Sequence, residues 1–260
     1  FNLLSNSASS NYAIGFVRLK KFADRGAVKK LADNMGALQG ALGAIKEASI
    51  FTFAFPTVQG FGNVEGFEFI LQDRNNGPVD KLGGMAWAFA GELMKRPEIA
   101  MAFTTFNAGN PQYMVDINEA KAKQIGVSVS DILNTMQVMY GSTFASDFNR
   151  FGKFYRVVVQ ADVEYRTNPE SLGNMYIKNS YGEMVPLNTV VTLRKTYGPE
   201  TVTRNNLFNA VTINGMPNPG YSTGDAIKAV DEVAAQFLPR GFKHEWTGMS
   251  KEEIAAGGQS

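Results

Sequence analysis

The chain has no cysteine and a single histidine, His244, among its 260 residues. Without cysteine there is no disulfide framework, no thiolate zinc site and no cysteine nucleophile. One histidine rules out HExxH, and neither GxxxxGKS/T nor GxSxG occurs, so hydrolytic and phosphate-cradling motifs are missing. The chain therefore reads as a non-enzyme with no cofactor and no metal. One-sided charge is also lacking. With 25 Lys and Arg against 24 Asp and Glu, there is no field to hold a polyanion, and nucleic acid is not an expected partner. Long apolar runs are missing too: the densest, residues 50–55, falls far short of the roughly 18 residues a membrane helix needs. The chain opens at Phe1 with no charged and then apolar leader, and reads as an excised piece of a longer protein.

What is present is a chain that is 44% apolar, enough for one large domain or two ordinary cores. Alternation predicts a first strand over residues 14–20 (IGFVRLK), with Val17 and Leu19 turned one way. A helix is predicted over 24–47, where Val28, Leu31, Met35, Leu38, Leu42 and Ile45 share a stripe. Residues 49–56 (SIFTFAFP) return as a strand, and a Gly-rich connector leads to a further strand, GFEFILQ. The plan then repeats. Pro78 and Asp80 open a helix with Leu82, Met85, Phe89 and Leu93 on its inner stripe, and Pro97 stops it before a strand over 100–106. Near the end come a strand over 207–214, a helix carrying Ile227, Val230, Ala234 and Phe237 with Thr223 as its N-cap, and a strand over 243–247. His244 reads there as an ordinary strand side chain.

Residues 111–198 have a different texture, with short helices followed by β-rich runs between Asn, Gly and Pro turns. They read as an insertion. The strand–helix–strand units on either side complete a β-α-β-β-α-β domain of the ferredoxin-like, split βαβ type, so the expected fold class is α+β. Residues 1–58 supply half of another such domain.

Two patterns bear on binding. IGFVRL resembles the aromatic strand of an RNA-recognition motif, but the balanced charge and the large insertion oppose that reading. Phe51, Phe53 and Phe55 fall on one face of the predicted strand by period two. Two arrangements satisfy this: the rings are core beneath the 24–47 helix, or the helix covers Ile50, Thr52 and Ala54 and leaves the rings, with Phe16, to wall a cleft. The Gly60, Gly62, Gly66 cluster precedes a strand instead of opening a helix, so it reads as a loop and not as a dinucleotide fingerprint.

Several stretches, in order, carry a family likeness: YAIGFVRLK followed by FADR, FTFAFPTVQGFGNVEGFEF, VDINEAKAKQIGVSVSDI, MVPL, and PGYSTGDAIKAV through EWTGMS. Together they resemble the second periplasmic loop of resistance-nodulation-division efflux pumps of the hydrophobe/amphiphile (AcrB-like) branch. The resemblance implies that residues 1–58 are part of a PC1 porter subdomain, 59–110 with 199–249 a PC2 porter subdomain, 111–198 a docking (DC) subdomain, and 250–260 a linker toward a membrane helix. It implies a homotrimeric inner-membrane pump driven by protons, this portion lying in the periplasm, with a periplasmic adaptor and an outer-membrane channel as partners and hydrophobic or amphipathic small molecules as cargo. The proton-carrying residues would lie outside this chain.

By the same resemblance Phe16 matches a deep-pocket phenylalanine. Phe51, Phe53 and Phe55 match the access-pocket wall, with Phe55 in place of the usual leucine. Phe61, Asn63 and Glu68 fall on the cleft mouth. Thr104 and Thr212 stand where relatives carry an arginine and a glutamate, which implies less preference for ionised cargo. The segment matching the switching loop reads NLLSNSASSN, with Leu3 and Leu4 as its only large apolar side chains.

Overall fold

A computed structural model describes residues 4, 11–26, 30–56 and 64–257. The chain divides into two compact units, Phe1–Asn110 with Gly198–Ser260, and Pro111–Tyr197. In chain order the elements are α1 (Leu31–Leu42), β1 (Phe67–Asp73), α2 (Val79–Leu93), β2 (Ile99–Phe103), β3 (Asn110–Ile117), α3 (Glu119–Gln124), α4 (Val129–Met136), β4 (Thr143–Arg150), β5 (Lys153–Val159), β6 (Tyr176–Lys178), β7 (Met184–Pro186), β8 (Val191–Gly198), β9 (Thr203–Asn205), β10 (Phe208–Pro217), α5 (Thr223–Phe237), β11 (Phe242–Trp246) and α6 (Gly248–Gly257). The fold is mixed α+β. Among the described residues no helix is long and apolar enough to cross a membrane.

The first unit is built on an antiparallel sheet in the order β11-β1-β10-β2, with β9 on the flank of β10. Alternation along β1 turns Phe67, Phe69 and Leu71 to one face, where cross-strand Ile213 and Val211 join them. Leu82, Phe89 and Leu93 of α2 and Val230 and Ala234 of α5 close over that face, all buried. The inner stripes read from the 3.6 period match the cluster at Leu82, Phe89, Leu93, Val230 and Ala234, with Met85 and Phe237 at its margin and Ile227 buried outside it. The helix α5 starts one residue earlier than expected. Ser222 is its N-cap, receiving the Asp225 N–H at 3.1 Å while the Asp225 carboxylate accepts the Ser222 N–H at 2.9 Å. This reciprocal pair satisfies two helix-end donors, which Thr223 inside the first turn cannot do. His244 does more than occupy a strand position: its Nε2 lies 2.7 Å from Asp231 Oδ1, which also accepts the Trp246 indole N–H at 3.1 Å. Both contacts tie β11 to α5.

The N-terminal stretch departs from expectation. Residues 14–20 and 49–56 form no strand, and among the described residues the predicted 24–47 helix shortens to α1, with a separate 3-10 turn at Phe22–Asp24 just before it. Val17 is 70% exposed, so the inward face expected of 14–20 is not realised. A strand is a pairing property, and among the described residues no strand pairs with either segment. For 50–52 the partner is a side chain. The Gln39 amide of α1 donates to Ile50 O at 2.9 Å and accepts the Thr52 N–H at 2.8 Å and the Thr52 hydroxyl. The helix α1 buries none of its side chains, and Gly36 and Gly40 within it lower its propensity.

The second unit holds its own apolar cluster, in which Ile132 and Leu187 are fully covered and Ile177 nearly so. Its β4 and β5 form a hairpin joined by Phe151 and Gly152, both at positive φ. A two-residue turn of this kind matches the right-handed twist of the strands. The same device, Asn206 (φ 49°) and Leu207 (φ 70°), joins β9 to β10. Leucine in left-handed backbone costs about 1–2 kcal/mol, and Leu207 is 84% exposed, so packing does not offset it. Leu207→Gly is expected to raise stability by about 0.5–1 kcal/mol after glycine's added unfolded-state entropy. Urea unfolding measures the change.

Candidate functional site

The sheet of the first unit has a second face, away from α2 and α5. Alternation places Glu68, Ile70 and Gln72 of β1 there, with Ala210, Thr212 and Asn214 of β10 opposite them and Phe103 of β2 opposite Asn214. Phe103 is 1% exposed although it lies outside the helix-covered cluster. Its cover is Phe51, stacked on it at 4.6 Å between centroids and 13° between planes. Phe16 and Phe55 form a second stacked pair at 6.2 Å and 16°. They are 73% and 57% exposed.

Strand pairing leaves a gap on this sheet. On the flank away from β1, β10 pairs with β2 through residues 214–217 and with β9 through residues 208–210. Among the described residues no strand joins 211–213 on that side. Thr104, one residue past β2, enters the gap: its hydroxyl donates to Thr212 O at 2.8 Å and accepts the Phe106 N–H at 3.2 Å. A cavity of about 190 Å³ opens here, lined by Leu4 and Tyr12, by residues 104–107, by Glu200, Thr201 and Thr203, and by β10 residues including Thr212 and Asn214. The Tyr12 phenol stands against the Glu200 carboxylate. Burial, that carboxylate's charge and the hydrogen bond to it, in this order, hold the phenol's pKa above its ordinary value.

Of the residues expected to bind cargo, Thr104 and Thr212 meet in this cavity. Phe51 is half-buried against Phe103, Phe53 is half-buried, and Phe16 and Phe55 are exposed together. The three phenylalanines share no strand face, because no strand forms there. They are not core beneath a 24–47 helix either, since α1 buries nothing. Phe61 and Asn63 lie outside the described residues. Glu68 sits half-buried on the far face, its N–H donating to the Ser250 hydroxyl at 3.1 Å.

Burial pushes the Glu68 carboxyl above its ordinary value of 4.5. With the folded pKa above the unfolded one, the protonated form is the better folded. Its advantage is full below 4.5 and is lost as pH rises through the folded value. Glu68→Gln is therefore expected to raise the thermal midpoint at neutral pH and to match the parent in acid, as a series of melts against pH would show.

Sequence reasoning missed Phe103, Tyr12, Glu200 and Asn214. Phe103 looks like any strand apolar residue until β2 is placed in the sheet. Tyr12 and Glu200 are far apart in sequence and carry no motif. The available signal was Glu200 itself, an acid just after Pro199 where the insertion hands the chain back to the sheet. Among the described residues no three His, Asp or Glu gather as metal ligands.

The model of the AcrB/AcrD/AcrF family matches residues 1–260. The chain is 33% identical over 259 residues to the toluene efflux pump membrane transporter TtgB of Pseudomonas putida, covering 100% of this chain and 24% of that protein. It is 30% identical over 254 residues to the multidrug export protein AcrF of Escherichia coli, covering 97% and 24%. To the solvent-resistant pump membrane transporter SrpB of Pseudomonas putida it is 34% identical over 216 residues, covering 83% and 20%. The chain thus spans about a quarter of the length of the curated relatives it matches.

Proposed function

The chain belongs to the AcrB/AcrD/AcrF family, and from that premise we propose that it is the periplasmic substrate-binding and docking portion of a proton-driven resistance-nodulation-division exporter of hydrophobic or amphipathic compounds. Family members are transporters and not enzymes, and the chain carries no catalytic cofactor motif. The observation that carries the binding role is the far face of the sheet, with a stacked phenylalanine pair over β2 and a cavity in the gap of β10.

Such a wall suits cargo of many shapes. Apolar burial has no direction and contributes roughly 1.5–3 kcal/mol per fully covered side chain, so partly covered rings hold loosely and release. The names of the relatives, a toluene efflux pump and a solvent-resistant pump among them, agree with apolar cargo.

The strand order β11-β1-β10-β2 with α2 and α5 on one face is the order of a ferredoxin-like domain, and supports reading residues 59–110 with 199–249 as the PC2 porter subdomain. Residues 1–58 are assigned to PC1, and the 111–198 insertion to docking. A docking role for the insertion has its own support: the β4–β5 hairpin exposes Phe144, Phe148, Phe151 and Phe154, with Phe151 at 82%. In the full-length pump this portion would act within a homotrimer at the inner membrane, beside a periplasmic adaptor and beneath an outer-membrane channel.

The test is accumulation of N-phenyl-1-naphthylamine in efflux-deficient bacteria that express the full-length protein. Lower accumulation, restored by a protonophore, is expected. Accumulation equal to that of cells without the protein would contradict the reading.

A further inference from the structure

The near-neutral total of the chain conceals one basic stretch. Residues 18–30 hold Arg18, Lys20, Lys21, Arg25, Lys29 and Lys30 against the single acid Asp24, a local excess of five in a protein of net charge +1, so the rest of the chain is net negative. Arg18, Lys20, Lys21 and Lys30 are exposed. Among the described residues no salt bridge engages any of these four.

Local folding concentrates the charge. In the 3-10 turn at Phe22–Asp24 the Asp24 N–H donates to Lys21 O at 2.9 Å, and the Arg25 Nε–H donates to Lys20 O at 2.8 Å. The Arg25 guanidinium lies over the Phe22 ring, 5.6 Å from its centroid. Lys20, Lys21, Phe22 and Arg25 therefore share one turn. Large apolar side chains stand among the cations: Val17 is 70% exposed, Phe22 63% and Leu31 48%. A single exposed apolar group needs no explanation, but several interleaved with uncompensated cations make a composite surface.

Two kinds of partner would answer such a surface, an acidic protein and an anionic bilayer. Three of the four exposed cations are lysines, point charges on flexible stems, which fit a plane of mobile phosphates. Fixed carboxylates favour the rigid fork of arginine, and Arg25 is engaged with Lys20 O and Phe22. A bilayer interface also has a place for the apolar groups. Its phosphates lie above acyl chains, so cations and rings are satisfied at different depths of one surface.

We propose that the stretch around the Phe22–Asp24 turn docks on the anionic phospholipid headgroups of a bilayer, with Arg18, Lys20, Lys21 and Lys30 holding phosphates and Val17, Phe22 and Leu31 entering the interfacial layer. The proposal rests on the reading above in one respect, that the chain is part of a membrane protein. It asks nothing of cargo or transport.

The test is hydrogen–deuterium exchange of the full-length protein in nanodiscs of phosphatidylcholine alone, and of phosphatidylcholine with about a third phosphatidylglycerol. Peptides spanning residues 14–26 are expected to exchange about fivefold more slowly in the anionic discs, with peptides of α5 as an unaffected reference. The difference is expected to vanish on raising salt from about 0.1 M to about 1 M, which shrinks the Debye length from about 10 Å to about 3 Å. It is also expected to vanish in the triple variant Lys20→Gln, Lys21→Gln, Lys30→Gln, and the salt arm reads the same charge dependence without any substitution. Exchange that ignores lipid charge overturns the proposal and leaves an acidic protein as the occupant. Protection that persists in the variant or at high salt overturns it as well. Since the readout involves no cargo, failure here leaves the exporter reading standing, and a protein that exports nothing leaves this comparison intact.

Discussion

Phe69→Ala is expected to destabilise the sheet unit by about 3–5 kcal/mol, the range for deleting a fully covered aromatic ring. Phe69 has no exposed surface. Its ring meets Phe89 of α2 edge-on at 5.7 Å, Trp246 of β11 at 5.4 Å and His244 at 5.9 Å, and lies parallel to Phe67 at 6.2 Å. One ring therefore touches a helix, its own strand and the neighbouring strand, and its removal opens a void that none of the three closes alone. Trp246 reports the change directly. Urea unfolding followed by tryptophan fluorescence is expected to show a large fall in midpoint with an unchanged slope, since the surface exposed on unfolding is nearly the same. A shift below about 1 kcal/mol would be that of a surface substitution, and would mean that Phe69 does not occupy the core between sheet and helices. Phe16→Ala serves as the contrast, being 73% exposed, and is expected to leave the midpoint nearly unmoved.

Phe51→Ala separates packing from binding on the far face. Phe51 is half-buried and stacks on the almost fully covered Phe103. Losing the ring removes an aromatic pair contributing about 0.5–1.5 kcal/mol beyond its buried area. The fold loses less here than with Phe69, because the Gln39 amide holds the flanking Ile50 and Thr52 backbone whatever the ring at 51, and the Phe51 ring is only partly enclosed. For the ligand the loss is larger in proportion, since the ring is half-exposed and covers Phe103, the cross-strand neighbour of cavity-lining Asn214. Affinity for N-pentyl dansylamide is expected to fall about tenfold, equivalent to about 1.4 kcal/mol, in the full-length protein. Stability falling with affinity unchanged would make Phe51 a lid on Phe103 and nothing more.

The sheet unit was legible because its pattern and its pairing agree. FEFILQ alternates, and β10 and β11 supply partners on both flanks. The apolar stripe of α2 meets the face of β1 that carries Phe67, Phe69 and Leu71. Residues 14–20 and 49–56 alternate as well, yet alternation gives a strand only where a neighbour completes its hydrogen bonds, and none of the described strands does so. The Phe51–Phe53–Phe55 row accordingly dissolved: Phe51 turned to Phe103, while Phe55 turned to Phe16. Of the candidate site, Phe51 stood out in the sequence as one of a row of rings, while its partner Phe103 and the polar lining did not. Thr104 and Thr212 came from a family likeness. Glu200 and Tyr12 depend on a gap left by two short pairings along β10, a matter of register that no local spacing encodes.

The most direct measurement of the central claim is photolabelling of the full-length protein with an uncharged, diazirine-bearing amphiphile, followed by peptide mapping. Adducts are predicted on residues 51–56, 103–107 and 210–214, diminished by excess unlabelled amphiphile. Adducts that spare all three segments and fall elsewhere on the chain would contradict the assignment of the far face as the surface that holds cargo.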